Sequence, residues 1–600
     1  LDYFNGTYPN HTVSVAIAKL PAKVPVSDPR YAGPILLNPG GPGGPGAQFA
    51  IVIANSLQMV VDAASDPKSA QGKDARFFDI IGFDPRGIGE TEPAATCIPD
   101  ATAAWSWRLR ETEEGILGSS DATLGRLWSM THAFGSSCKQ AMSAKDGPDI
   151  KQYMTTAFVA RDMLEITERH ADYVAQRTDS VVRQRRELSA HGDVDFKQEA
   201  LGKTKLQYWG FSYGTHLGST FISMFPDRVG RVVLDGVVSS YDYNHSLGNG
   251  SLVDNEKAME SFYSYCLVSG PDACPLAENA TTTTDIKNRA HEIVQSLYHN
   301  PFVFASAEGP EVFTYSDLKA LIFSSIYQPQ ITFPFLGVIL TQIEAGHGDL
   351  IDSIGPAWRG AHTLSCGING SVTAPISYTG DVPTFSILCA DGIDQQDVGM
   401  DEFTEYWELL RNMSSAAGDI WATLKLKCTA WKIRANYKFE GEFGANTKNP
   451  ILFISNTADP VTPLRSGRFM HAKFPNSALL VNDQSGHCSF SATNLCALNK
   501  IKEYFQTGSL PTANTLCVPP PSPFSLNSTD PKSPFYDPGL EARSLITTQS
   551  EMSIEQEKMH SAIKSLQHVM AKHDAFGFNG LFGGKAMKLQ NMITARYIEW

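Results

Sequence analysis

Ser212 stands at the centre of Gly210-Phe211-Ser212-Tyr213-Gly214, which fits G-x-S-x-G. An apolar run, Leu206–Trp209, precedes it and reads as a strand; His216–Met224 follows and reads as a helix. A serine at so sharp a strand-to-helix turn is held out at the sheet edge, and glycines two positions either side remove side chains that would clash. Its hydroxyl becomes a nucleophile if an imidazole can take its proton and a carboxylate orients that imidazole. The chain order for such a turn is serine, acid, histidine. Asp459, in NTADPVTP, follows the strand-like run Ile451–Ile454, and His487, in SGHCSF, follows Ala478–Val481. Both therefore come from loops at the carboxyl ends of strands, where α/β sheets build their sites. His216 and His471 fall inside predicted helices and read as structural. Asp235, ending RVVLD, and Asp84, ending another run, are rival acids; Asp84 reads as a loop-fixing carboxylate with Arg86 as its partner.

A carbonyl under attack develops negative charge and needs preorganised donors. The loop Asn38-Pro39-Gly40-Gly41-Pro42-Gly43-Gly44-Pro45-Gly46 follows a core strand. Its glycines let backbone N–H groups approach a substrate and its prolines stiffen it. The expected oxyanion hole is the N–H of Gly41 with that of Tyr213, Gly43 being the second choice in the loop. Phosphate cradling is the competing reading. The loop lacks the lysine of a P-loop and the spacing of a dinucleotide fingerprint.

These residues need a scaffold, and the apolar pattern supplies one. Short apolar runs at VSVAIA (from Val13), PILLN (to Asn38) and FFDIIGFD (to Asp84) read as strands, with a helix from about Gln48. Positions 155–190 read as a helix, and LQYWG, FSYGTHLGSTFISMFP and RVVLDG repeat a strand–helix–strand rhythm. That rhythm stops between about Val237 and Asn449 and resumes at PILFISN, with helices near Arg465–His471 and Leu495–Phe505. The expected fold is α/β: a mostly parallel central sheet flanked by helices, with a large, mainly helical inserted cap. Residues 1–240 and 446–517 form the two parts of the core, 97–150 being an irregular insertion, and 241–445 form the cap. A Pro-rich linker (518–545) leads to a helical extension (546–600), whose Met552–Asp574 stretch has helical apolar spacing and is expected to pack on the core.

Composition narrows the function. The 600 residues carry 49 Lys+Arg against 63 Asp+Glu, a net charge of −14. That field repels phosphate backbones and anionic lipid, so general electrostatic binding of nucleic acid is excluded. No apolar stretch approaches membrane-span length. Ten cysteines, none in metal-site spacing, accompany eight N-x-[ST] sequons at Asn5, Asn10, Asn244, Asn249, Asn279, Asn369, Asn412 and Asn527. Together they point to a secreted or vacuolar protein whose targeting peptide has been removed before Leu1. Short loops favour Cys266–Cys274 and Cys496–Cys517, then Cys97–Cys138 and Cys389–Cys428, leaving Cys366 and Cys488 to pair or stay free.

NPGGPGGPG, FDIIGFDPRGIGETEP, YWGFSYGTHLGSTFISMFPDRVGRVVLDGV and ISNTADPVTP…SGHCSF, in this order, resemble the tripeptidyl-aminopeptidase-like α/β-hydrolases, secreted serine hydrolases related to prolyl aminopeptidases. The likeness covers about residues 12–95, 150–240 and 445–517. It implies release of short units or single residues from free peptide N termini, with Ser212 as nucleophile, Asp459 as acid and His487 as base. No metal or organic cofactor is implied, and the partner is a peptide or a small acyl or ester substrate. Prolyl-aminopeptidase relatives hold the substrate ammonium with cap carboxylates, for which Asp391, Glu402, Glu405 and Glu408 are available here. Pro45 departs from the family loop, which often reads GGPGGSG. Relatives on the same core include esterases and lactonases, so an esterase, lactonase or pathway-specific hydrolase is the alternative. A neutral His487 is required of the base, so activity should fall on acidification.

Overall fold

The computed structural model describes residues 1–68, 74–143, 147–188, 204–245, 248–306, 309–348, 381–519 and 552–572, with short pieces at 351, 365–366, 372–373 and 523–525. Eight strands form one sheet: β1 (Ile17–Leu20), β2 (Tyr31–Asn38), β3 (Phe77–Phe83), β4 (Leu206–Phe211), β5 (Val229–Asp235), β6 (Ile451–Ala458), β7 (Ser477–Ser485) and β8 (Leu516–Cys517). Their order is β1-β3-β2-β4-β5-β6-β7-β8. Only β1 runs antiparallel to its neighbour; the remaining pairs are parallel. The α/β-hydrolase fold is thus built, with strands before and after the long helical stretch meeting where β6 pairs with β5.

Strands buried on both faces need apolar residues at every position, which is why β3, β4 and β6 read as continuous runs. Alternate side chains feed two cores. Ile35, Leu37, Ile80, Trp209, Phe211, Val233 and Ile454 join one face; Leu36, Ile81, Tyr208, Val232, Leu234 and Phe453 join the other. Helix α1 (Gly46–Val61) packs on the first face. Helices α4 (Thr156–Leu188) and α5 (Tyr213–Met224) pack on the second.

The register decides where the loops emerge. Phe211 and Ile454 both stand abreast of Asp235, and Asn38 stands abreast of Gly210. The carboxyl ends of β2, β4, β5 and β6 therefore share one rim.

Several sequence expectations shift. Val13–Ala16 is not a regular strand: Ser14 makes one isolated bridge to Glu92, and β1 begins at Ile17. Residues 97–150, expected irregular, hold two helices, α2 (Ala101–Glu114) and α3 (Thr123–Ser143). Asp100 caps α2 by accepting from Ala103 N at 2.7 Å. The scattered tryptophans give α2 little amphipathic signal, and tertiary packing supplies the rest. Between β5 and β6 the described chain is mainly helical, with two small antiparallel strand pairs, Phe302–Ser306 with Gly309–Phe313 and Ser365–Cys366 with Val372–Thr373. Of the linker and extension, residues 520–522, 526–551 and 573–600 lie outside the described residues. A helix at Ile554–Lys572 packs on α1, burying Met559, Ile563 and Leu566.

Four disulfides, Cys97–Cys138, Cys266–Cys274, Cys389–Cys428 and Cys496–Cys517, match the short-loop pairing. Cys488 is a buried free thiol. Among the described residues no helix is long and apolar enough to cross a membrane.

Candidate active site

Ser212 takes φ 55° and ψ −125°, a conformation costly for a residue with a side chain, directly after β4 and before α5. The surroundings impose it. Ser212 N donates to Asp235 O at 2.9 Å, and Thr215 Oγ1 donates to Ser212 O at 2.6 Å. A Cβ on Gly214 would fall 2.8 Å from Asn38 O, so a larger residue at that arm of the motif would push the turn off β2.

His487 follows β7 and is fully buried. Its Nδ1 lies 3.0 Å from both Asp459 oxygens and 3.2 Å from Thr462 Oγ1. The Asp459 carboxylate also accepts from the N–H groups of Val461, Thr462 and Cys488 at 3.1, 2.8 and 3.0 Å. That set of donors fixes the plane of the carboxylate. With Nδ1 turned to Asp459, the other ring nitrogen points away from the carboxylate. His487 N donates to Tyr327 O at 3.0 Å, and the Tyr327 ring packs edge-on against the imidazole, 5.1 Å between centroids.

The His487 loop also meets the serine turn. A Cβ on Gly236, just past β5, would lie 3.4 Å from His487 Cε1. The neighbouring Cys488 thiol donates at 3.4 Å to Asp235 O, the same carbonyl that accepts from Ser212 N. Cys488 holds φ 62°, ψ 174°, a second costly conformation. Burial, with Asp235 and Asp459 nearby, pushes its thiol pKa well up, so it stays protonated.

Asp235 spends its carboxylate elsewhere. It accepts from Ser489 N at 2.8 Å, Ser489 Oγ at 2.6 Å and Trp209 Nε1 at 3.3 Å, and burial raises its pKa to about 6. Asp84 accepts from Ala47 N and Glu90 N at 2.8 and 2.9 Å. The expected Asp84–Arg86 pairing gives way to a buried Arg86–Asp162 pair at 2.6 and 2.7 Å, because Arg86 points toward α4. His216 is buried, bonded to Ser240 Oγ at 2.9 Å, and burial lowers its pKa to about 3. His471 binds Ser477 Oγ at 2.7 Å.

The Gly/Pro loop lies against the serine turn. A Cβ on Gly40 (φ +99°) would stand 2.8 Å from Ser212 Cβ and 2.9 Å from Tyr213 N. Gly41, at φ +107°, comes next, between this contact and Pro42, whose carbonyl accepts from Thr384 Oγ1 at 2.8 Å. Gly43 packs on Thr384 itself. Pro45 precedes α1 at φ −74°, natural for proline, and its carbonyl accepts from Phe49 N.

Of the carboxylates expected to hold a substrate ammonium, Glu402, Glu405 and Glu408 lie exposed on the helix Met400–Met413. Asp391 is buried and bonded to Thr156 and Tyr243. A cavity of about 90 Å³ lies between the ends of β5 and β6 and the helices above them, walled by Val238, Tyr243, Tyr406, Trp421, Leu424 and Val461. Sequence reasoning missed Thr462 and Tyr327 beside His487. Thr462 was accessible in principle, lying three residues past Asp459; Tyr327 carries no local signal, because only folding brings it to the imidazole.

The α/β hydrolase fold family matches residues 33–255, and the TAP-like protein family matches residues 414–517. The chain is 25% identical over 496 residues to a protein named serine protease Hip1 from Mycobacterium tuberculosis, covering 81% of each chain. It is 22% identical over 502 residues to a tripeptidyl aminopeptidase of Streptomyces lividans, covering 82% of this chain and 78% of that one. A protein named carboxylesterase B, also from Mycobacterium tuberculosis, is 26% identical over 513 residues, covering 83% and 82%.

Proposed function

For a chain with the α/β-hydrolase fold and a TAP-like C-terminal region, we propose a serine hydrolase that releases single residues or short units from free peptide N termini. The observation that carries this reading is the Asp459 carboxylate holding His487 Nδ1 at 3.0 Å, on the sheet rim that also presents Ser212. In the proposed reaction Ser212 Oγ attacks the scissile carbonyl as His487 takes its proton. The imidazolium, steadied by Asp459, gives that proton to the leaving amine. Water, activated by His487, then cleaves the acyl ester and regenerates Ser212. The N–H groups of Gly41 and Tyr213 receive the oxyanion, a role supported by the close approach of Gly40 to Tyr213 N. Residues 241–445 act as a cap over the core formed by 1–240 and 446–517.

The relatives named for peptidase activity support the N-terminal peptidase reading. The relative named carboxylesterase B favours a second reading, ester hydrolysis by the same three residues. Four disulfides and sequons exposed at Asn5, Asn10, Asn279 and Asn412 support a secreted or vacuolar glycoprotein. A fluorophosphonate probe tests the nucleophile: wild type labels and Ser212→Ala does not. Peptide amides with free and acetylated N termini, run beside aryl esters, test the substrate. A strict requirement for the free amine supports the peptidase; indifference to it supports the esterase.

A further inference from the structure

The helix Val382–Asp391 contacts the Gly/Pro loop near its start and, through Thr156, is linked to the residue after Ser212 at its close. At its start, Thr384 Oγ1 donates to Pro42 O at 2.8 Å, the carbonyl next to Gly41. At its close, the buried Asp391 accepts from Thr156 N at 3.0 Å and Thr156 Oγ1 at 2.6 Å. Thr156 Oγ1 also meets Tyr213 OH at 2.5 Å. Its single proton is committed to Asp391, so the Tyr213 hydroxyl donates: the chain runs Tyr213 to Thr156 to Asp391. Tyr243 OH, at 3.4 Å, is a further donor to Asp391, and Tyr243 walls the cavity beside the site.

We propose that Asp391 is a positioning residue for the oxyanion hole. Acting through Thr156, it pins the side chain of Tyr213, whose backbone N–H is one proposed donor, while Thr384 of the same helix pins the loop carrying the other. The inference rests on reading Ser212 as the nucleophile. It differs from the ammonium-binding role that the sequence resemblance offers Asp391, because both carboxylate oxygens are already engaged by protein donors and the residue is only 7% exposed.

The arrangement has the properties such a role needs. Asp391 sits at the N-terminus of a 33-residue helix, Thr156–Leu188, whose free N–H groups favour a negative charge. Lys438 is the cation facing it, with Tyr213 and Tyr243 as the titratable neighbours, and the Lys438 ammonium donates to the adjacent Gly392 O at 3.3 Å. Burial raises the Asp391 pKa to about 6 while these donors oppose the rise, so the ionised acceptor prevails at neutral pH. The Cys389–Cys428 disulfide, two residues before Asp391, ties the helix to its neighbour Gly418–Thr429. Donors held this way need no reorganisation as charge develops.

The test uses the full chain, with p-nitrophenyl acetate and one peptide p-nitroanilide in free and N-acetylated forms. Asp391→Asn, Thr156→Val and Tyr213→Phe are each expected to lower kcat about 10- to 100-fold on whichever of these substrates the wild type turns over, with KM within about twofold, the size a sub-ångström misplacement produces. Thr156→Ser restores the hydroxyl and should restore kcat. The Asp391→Asn/Tyr213→Phe double variant should be no slower than its slower parent, since both cut one chain. Wild-type kcat in Thr156→Val and Asp391→Asn overturns the proposal. So does a raised KM confined to the free-amine peptide, which would make Asp391 an ammonium clamp. If Asp391→Asn does not fold, the Thr156→Val and Thr156→Ser pair reads the same chain. Failure of wild type to label with fluorophosphonate is a separate result, overturning the serine reading and this inference with it.

Discussion

Two buried aspartates lie within reach of the His487 loop, and their hydrogen bonds separate them. Asp459 faces the imidazole nitrogen, while Asp235 faces Ser489 and Trp209. Asp459→Asn should therefore cost about 10³- to 10⁴-fold in kcat, because the amide cannot hold the required tautomer. Asp235→Asn, which keeps an oxygen for Ser489, should cost about tenfold or less; steady-state kinetics on both variants decides the order. The same burial gives a stability signature. Asp235 and Asp391 both have folded pKa values raised to about 6, above the unfolded value near 4. Between those values the folded state binds more protons, so their contribution falls as pH rises from about 4 to 6 and the full penalty stands above that. The melting temperature of Asp235→Asn relative to wild type should therefore rise across this window, by an amount reaching ~3 kcal/mol in stability. A flat difference from pH 4 to 7 would contradict the raised value.

At the scale of elements, the site is the product of a register. Phe211, Asp235 and Ile454 stand side by side, so the serine turn, the Gly236 crossing and the acid loop leave the sheet at one rim. The Gly/Pro loop closes on that rim at Gly40. Gly40→Ala places a Cβ 2.8 Å from Ser212 Cβ at a φ of +99°. We expect a fluorophosphonate labelling rate at least about 100-fold lower, with a stability loss of ~1–3 kcal/mol by denaturant titration. An unchanged labelling rate would mean that the loop does not shape the serine turn. The strand-to-helix context of G-x-S-x-G was legible because it is local: apolar run, glycine, serine, glycine, apolar run. Helices α2 and α3 were not, because their apolar residues find partners only in the folded chain, as where Trp107 of α2 stacks on Phe134 of α3.

Over the whole molecule, distant segments are recruited to hold the site. The helix Ile554–Lys572 packs on α1 through Met559, Ile563 and Leu566, and Gln567 donates to Phe490 O at 3.0 Å, three residues past His487. Ile563→Ala should cost ~2–5 kcal/mol, seen as a lower urea midpoint, and activity should fall over the same range of urea. The Cys389–Cys428 disulfide closes a loop with a sequence separation of 39, worth ~4 kcal/mol in the chain-entropy account. Paired Cys→Ser replacement should lower the thermal midpoint accordingly.

Sequence alone indicated the strand–helix–strand rhythm around Ser212, the serine turn and the loops that could bear an acid and a base, because each is written in the spacing of neighbouring residues. Tertiary structure decided which carboxylate meets His487, that Arg86 answers to Asp162, and that Asp391 is tied to Tyr213. Those pairings join residues tens to hundreds of positions apart. Packing of the sheet and the helices around it, rather than local preference, selects among the partners that composition leaves open.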